Sequence, residues 1–149
     1  MTDFGGEGTI EIAADRERCF EVAADAEAYP EWHPVIKSIE TLELGPGGRP
    51  ARARALVDAS VSEVTIEVAF SLDPPHRVEC RRTSGDLKEM WTRFEFAELG
   101  PDRTRLEYST GLDPGRMLSM LARGPVLEKV RHKLIDEALA GFKARAEGG

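Results

Sequence analysis

The stretch AADRERCFEVAADAEAYPEWHP, residues 13–34, decides how this chain folds. Asp15 is a residue type that caps helices, and the apolar residues behind it recur at spacings of three and four, which is the period of an amphipathic helix. The pattern predicts a short helix over 16–25 followed by a second, shorter helical turn. Its apolar stripe consists of Cys19, Val22, Ala23 and Ala26.

The end of the same stretch is aromatic and bracketed by prolines. Pro30 and Pro34 enclose Trp32 and His33, and each proline removes a backbone donor and biases the residue before it away from helix. We call residues 29–34 the elbow and expect it to be stiff.

Strands are predicted on both sides of this segment. Residues 8–14 alternate apolar and polar side chains, and after the elbow the hydrophobic period changes to two. Short turns join consecutive runs, which favours an antiparallel meander and, with the first strand, seven strands in one curved sheet. The later runs are 35–44, 52–60, 61–72, 76–83, 88–99 and 103–112.

The chain closes with a predicted helix over 125–147. Pro125 is a favoured first helical residue, and four apolar residues follow at successive steps of four. At about 1.5 Å per residue this helix is more than about 30 Å long, enough to cross the sheet. The expected class is therefore α+β. The four apolar residues are Val130, Leu134, Ala138 and Phe142.

Composition narrows the class of protein. The 149 residues, 41% of them hydrophobic and without repeats, are expected to form a single domain over 1–149. A net charge of −7 argues against a nucleic-acid partner, which would require clustered Lys and Arg. With no apolar run of membrane-spanning length and no leader pattern, we expect no membrane span and a cytoplasmic protein. Cys19 and Cys80 are expected to be buried apolar residues.

One strand differs from its neighbours in side-chain size. The inward positions of run 52–60 are small, with Ala53 and Ala55 at their centre, whereas adjacent strands place Phe70, Phe94 and Tyr108 toward the helix. Two interpretations stay open: the helices lie closer to this strand and fill the space, or a cavity of roughly 300–1,000 Å³ holds a small molecule there.

The segment GRMLSMLARG, residues 115–124, offers a cover for such a cavity. Met117 and Met120 repack easily around varied apolar shapes, which suits a lid over an apolar opening. A short core helix is the equally open alternative.

Polar residues on the inferred inner face are few. Thr92, Tyr108 and Arg82, if the alternation holds to the end of its strand, join the elbow residues as groups that orient an apolar ligand. We expect no metal and no cofactor, because the three histidines lack zinc-helix spacing and the glycine run 45–48 lacks the rest of a phosphate loop. The predicted ligand-binding residues are Tyr29, Trp32, His33, Ala53, Ala55, Phe70, Arg82, Thr92, Phe94, Tyr108, Met117 and Met120.

These residues carry a resemblance to a known family. IEIAADRERCFEVAADAEAYPEWHPVIKSIETLE, residues 10–43, resembles the N-terminal signature of the polyketide cyclase/dehydrase and coenzyme Q-binding group of the START-like (SRPBCC) superfamily. Further similar segments are LDPPHRVEC (72–80), MWTRFEFAELGPDRTRLEY (90–108) and FKARAE (142–147). The resemblance implies a helix-grip (START/Bet v 1-like) fold, in which the curved sheet wraps the long helix around a deep hydrophobic pocket.

The resemblance implies several functions, and no catalytic residue is assigned. The favoured hypothesis is a non-catalytic binder of a lipid, quinone or polyketide-like molecule. The alternative is a polyketide aromatase/cyclase or dehydrase, in which Tyr29, Trp32, Arg82 and Tyr108 match the residue types of cyclase pockets. A third hypothesis is a protein-partner role like that of the ribosome-association toxin-like members. A homodimer is left open.

Overall fold

A seven-stranded antiparallel sheet forms the body of the protein, in the order β1-β7-β6-β5-β4-β3-β2. The computed structural model describes residues 4–58, 63–113, 115 and 125–148. The predicted α+β helix-grip architecture, with a meander closed by the N-terminal strand, is confirmed. The strands are β1 (Phe4–Ile12), β2 (Ile36–Leu44), β3 (Pro50–Asp58), β4 (Glu63–Asp73), β5 (Arg77–Gly85), β6 (Glu89–Gly100) and β7 (Arg103–Asp113).

The first strand begins four residues before its predicted start. Its early residues are glycines, which are poor strand formers, but Gly5 pairs with Gly111 in β7. A side chain at Gly5 would place its Cβ 2.3 Å from the carbonyl oxygen of Thr110. The glycine therefore permits a close backbone approach that a strand propensity does not reveal.

The helices follow the predicted plan. Helix α1 (Arg16–Ala24) is capped by Asp15, whose Oδ1 accepts from the backbone N–H of Arg18 at 2.7 Å. A short 3₁₀ turn (Ala26–Ala28) and α2 (Tyr29–Trp32) complete this region. The predicted C-terminal helix consists of α3 (Pro125–His132), a π-helical segment (Lys133–Glu137) and α4 (Ala138–Glu147). We refer to these three together as the C-terminal helix.

The C-terminal helix packs on the concave face of the sheet. Its predicted stripe of Val130, Leu134, Ala138 and Phe142 is buried. Over β1 the helix lies so close that a Cβ at Gly8 would be 2.7 Å from a methyl carbon of Leu139. Within the described residues, no helix combines the length and apolar character needed to cross a bilayer.

The helix also meets the elbow in direct backbone contact. A Cβ at Gly141 would lie 2.1 Å from the carbonyl oxygen of Trp32. The adjacent residue, Phe142, places its ring edge-on to the indole of Trp32 with the ring centroids 5.3 Å apart. Only glycine at position 141 allows this approach, because any side chain there would overlap the carbonyl group of Trp32 and push the helix away from the elbow.

We predict that Gly141→Ala destabilises the protein by about 1–3 kcal/mol, because the added methyl group overlaps backbone atoms that cannot rotate away. This cost outweighs the gain of up to about 1 kcal/mol that alanine brings to a helix interior. Chemical denaturation monitored by circular dichroism measures the change. Gly100→Ala is the matched control, since its added Cβ meets nothing within 4 Å; equal stability of the two variants would contradict the prediction.

Candidate functional site

The elbow forms the centre of an aromatic cluster between the sheet and the C-terminal helix. The ring of Trp32 lies 5.1 Å from Tyr29, 5.3 Å from Phe142 and 6.4 Å from Phe94, measured between centroids, in edge-to-face arrangements. Phe94 in turn lies 5.2 Å from Tyr108. Such contacts add to the burial of each ring and fix the rings relative to one another.

A cavity of about 30 Å³ borders this cluster. Its volume corresponds to about one water molecule, far below the roughly 300–1,000 Å³ of small-molecule sites. The described side chains therefore fill most of the space at this point beside the elbow. The lining residues are Tyr29, His33, Ile36, Ile39, Ala55, Val68, Phe70, Cys80, Met90, Thr92 and Phe94.

Six of the twelve predicted site residues line this cavity together. They come from the elbow and from three strands, β3, β4 and β6, as the inward alternation predicts, and they are Tyr29, His33, Ala55, Phe70, Thr92 and Phe94. Trp32 and Tyr108 are buried beside them around Phe94, and Ala53 is buried on the same strand as Ala55. Met117 and Met120 lie outside the described residues.

Arg82 is separate from the cavity. Its Nη2 donates to the carbonyl oxygen of Gly85 at 2.8 Å, near the end of β5, and its Nε is buried without a partner. Sequence reasoning predicts either an acidic partner or a place near an opening, and the observed partner is a backbone carbonyl. The predicted grouping of Arg82 with the elbow residues is not reproduced around this cavity.

Sequence reasoning missed five lining residues: Ile36, Ile39, Val68, Cys80 and Met90. Val68 and Met90 lie on the predicted inward face, but Ile36 and Ile39 are three residues apart and cannot both face inward in a regular strand. A register shift between Ile36 and Ser38 explains this pair, because a bulge restores the second isoleucine to the same face. The three-residue spacing of Ile36 and Ile39 within one predicted strand was the feature of the sequence that could have indicated this bulge.

His33 is held as a neutral ring. Burial lowers its pKa to about 4, and its Nδ1 accepts a long hydrogen bond of 3.3 Å from the backbone N–H of Val35. A neutral imidazole that accepts at Nδ1 carries its proton on Nε2. His33 thus offers a ligand a hydrogen-bond donor, while its lone pair is committed to the backbone.

The two tyrosines have opposite hydrogen-bonding states. The hydroxyl of Tyr29 donates to the carbonyl oxygen of Ala23. The hydroxyl of Tyr108 is buried and has no partner with hydrogen-bond geometry; the Thr110 side chain is near enough to influence its pKa, and the Thr110 hydroxyl is hydrogen-bonded to Thr92 and to the carbonyl of Trp91. Burial raises the pKa of both phenols, so both are protonated at neutral pH.

Trp32 adds a second unpaired donor. Its Nε1 is buried and has no hydrogen-bond partner. Buried polar groups are nearly always paired, so Trp32 Nε1 and Tyr108 Oη, on two rings that both contact Phe94, are exceptions within one small region.

The two cysteine thiols in the interior are not activated for chemistry. Burial raises the pKa of Cys80 to about 12, and burial also raises the pKa of Cys19, so both thiols stay protonated and unreactive. The expected burial of both cysteines is confirmed. Across the described ranges, no group of three His, Cys, Asp or Glu residues has the arrangement needed to hold a metal ion.

Comparison with known proteins gives the same fold over nearly the whole chain. The family model described as polyketide cyclase / dehydrase and lipid transport matches residues 5–147. A START superfamily protein from Mycobacterium smegmatis is 25% identical with a TM-score of 0.80, and the match covers 97% of each chain. No functionally curated protein matches this chain.

Two further solved structures are similar in fold. The Zhui aromatase/cyclase from Streptomyces sp. R1128 is 21% identical with a TM-score of 0.73, over 98% of this chain and 94% of that one. A protein from Thermus thermophilus is 20% identical with a TM-score of 0.78, over 95% and 96% of the two chains.

We predict opposite stability effects for the two phenol-to-phenyl substitutions. Tyr29→Phe removes a satisfied buried hydrogen bond and lowers the free energy of unfolding by about 1–2 kcal/mol. Tyr108→Phe removes a buried hydroxyl that has no partner and leaves stability unchanged or raised. Urea denaturation of ligand-free protein tests both, each variant serving as the control for the other; a loss in Tyr108→Phe as large as in Tyr29→Phe would show that its hydroxyl is paired.

We predict that His33 makes the protein less stable in mild acid. The unfolded ring titrates near pH 6.5 and the folded ring near pH 4, so between these values the unfolded state binds a proton that the folded state does not. The contribution of His33 to the free energy of unfolding is thus present above pH 6.5 and falls by up to about 3 kcal/mol toward pH 4.

Denaturation of wild type and His33→Gln between pH 7 and pH 4 measures this contribution. As the pH falls from 7 to 4, the free energy of unfolding of wild type decreases more than that of His33→Gln, because only wild type contains the buried neutral imidazole. His76→Gln, at an exposed turn residue, controls for the loss of a histidine in general. A difference that stays constant with pH would contradict the burial of a neutral ring.

Proposed function

Because the chain belongs to the polyketide cyclase/dehydrase and lipid transport family of the START-like superfamily, we propose that it binds a hydrophobic small molecule between the sheet and the C-terminal helix. The observation that carries this proposal is the pair of unpaired polar atoms, Tyr108 Oη and Trp32 Nε1, in an otherwise apolar interior. The ligand class is a lipid, quinone or polyketide-like molecule.

The unpaired atoms favour a ligand with acceptor oxygens. An unsatisfied buried polar group costs about 1–3 kcal/mol, and a ligand oxygen that accepts from it recovers part of that cost. Trp32 Nε1–H is a donor only, and His33 presents Nε2–H, so the donors outnumber the acceptors around the elbow. Carbonyl or ether oxygens on an apolar skeleton complement this arrangement.

Ligand binding beside the elbow involves movement of side chains. The space that the described residues leave there is about 30 Å³, so a molecule of drug size that binds at this point displaces some of them. The Trp32 ring contacts rings from the elbow, β6 and the C-terminal helix, and its displacement accompanies that movement. Trp32 is therefore the natural reporter of binding.

Binding is better supported than turnover. The cyclase or dehydrase alternative needs a general base, but the described lining of the cavity contains no carboxylate, and the accepting nitrogen of His33 is already engaged with Val35. One observation favours the alternative: the unpaired, protonated phenol of Tyr108 is a suitable hydrogen-bond donor to a developing enolate oxygen.

Native mass spectrometry of the purified protein, with and without solvent extraction, tests the proposal directly. We expect a stoichiometric apolar compound, or uptake of an added short-chain ubiquinone that shifts the fluorescence of Trp32 in a Trp91→Phe background. Protein that is empty and takes up neither a quinone, a fatty acid nor a polyphenol would refute it.

We predict that Tyr108→Phe weakens binding of the quinone about fivefold or more, since one lost hydrogen bond is worth about 1 kcal/mol. Ser109→Ala, on the next residue of β7 and on the opposite face of the sheet, is the matched control and retains wild-type affinity. Equal affinities in the two variants would remove Tyr108 from the site without affecting the test of binding itself.

A further inference from the structure

The outer face of the sheet carries paired charges over most of its area. Arg93 Nε lies 2.9 Å from Glu79 Oε2, and Arg54 and Arg52 both reach Glu67, at 3.4 and 2.9 Å. These pairs join neighbouring strands, so most outward charges have an opposite charge beside them.

One row across the sheet departs from this pattern. Strand register places Ala69, Arg81, Trp91, Gly111 and Gly5 directly opposite one another on β4, β5, β6, β7 and β1. The row continues to Arg52 on β3, which is ion-paired with Glu43 and Glu67, whereas Arg81 has no ion-pair partner among the described residues. In the next row, Glu79 is already paired with Arg93.

The same row borders a depression of about 350 Å³ on the outer surface. Its outward-facing lining combines the small residues Ala69 and Ser71 with Trp91, Arg81 and the ion pair of Glu79 with Arg93. This volume lies within the range of small-molecule sites, whereas the cavity that the described residues line beside the elbow does not.

Gly111 determines where the indole of Trp91 lies. A Cβ at Gly111 would be 2.5 Å from Trp91 Nε1 and 2.8 Å from Cε2, so the ring edge lies directly against the β7 backbone. A half-buried tryptophan on the solvent side of a sheet is thereby held in one position, with part of its surface exposed. A larger residue at 111 would displace the ring.

We propose that this depression is a second binding site, for a planar aromatic anion. The indole supplies an apolar surface for an aromatic ring, and the unpaired guanidinium of Arg81 supplies a two-pronged donor for a carboxylate, sulfonate or phosphate group. Arg81 and Trp91 are register partners on adjacent strands about 4.8 Å apart, so a two-ring aromatic acid is long enough to contact both.

The site is independent of the interior ligand, and the two tryptophans separate the two events. Trp32 lies in the core and Trp91 on the outer face, and they are the only tryptophans in the sequence. In ¹H–¹⁵N spectra of the wild-type protein their indole signals are therefore assigned with a single Trp91→Phe variant.

Titration with 2-naphthoate tests the proposal. We expect a saturable shift of the Trp91 indole signal, at least fivefold weaker affinity for the uncharged 2-naphthamide, and weaker binding at high salt because the charge on Arg81 is exposed. Arg81→Gln weakens naphthoate binding at least fivefold. Arg105→Gln, an exposed outer-face arginine on β7 beyond the depression, changes it less than twofold.

Three results would overturn the proposal: no shift of the Trp91 signal up to the solubility limit, a shift of the Trp32 signal alone, or equal affinity for acid and amide that Arg81→Gln does not alter. A shift of the Trp32 signal alone would support the interior site while excluding the outer one. Gly111→Ala provides a second variant, and we expect it to abolish the Trp91 response by moving the ring while the backbone spectrum stays folded.

Discussion

The contact between the Trp32 carbonyl and the bare backbone at Gly141 organises the rest of the structure. It brings the C-terminal helix against the elbow at a distance that no side chain tolerates, and it lets Phe142 meet the indole of Trp32 edge-on. The rings of Tyr29 and Phe94 then pack around the same indole. The close backbone contact at Gly141 and the indole of Trp32 thus fix the C-terminal helix, the elbow and the sheet relative to one another.

The interior beside the elbow is densely packed, but some of its polar atoms have no hydrogen-bond partner. Aromatic rings reduce the space beside the elbow to about that of a water molecule, yet two polar atoms on those rings have no partner.

The two faces of the sheet differ in character. The concave face holds the apolar core, and the described residues leave a space beside the elbow of about one water molecule. The outer face holds a ready depression in which one aromatic ring and one unpaired cation lie side by side.

Most of the fold was predictable from local patterns. The cap at Asp15, the prolines of the elbow, the period of two in the strands and the period of four in the last helix each report a local physical preference. Such preferences place elements, and the alternation of side chains also identified the inward residues around Phe94.

Only the tertiary structure decided the distances between elements and the state of each polar atom. The glycines at positions 5 and 141 appear in the sequence as weak strand and helix residues, but their role is to admit a carbonyl group from elsewhere in the chain. Likewise, the sequence grouped Tyr29 with Tyr108, and folding gave a hydrogen bond to one and not the other. Packing distances and hydrogen-bond partners depend on residues far apart in the chain, which local periodicity cannot encode.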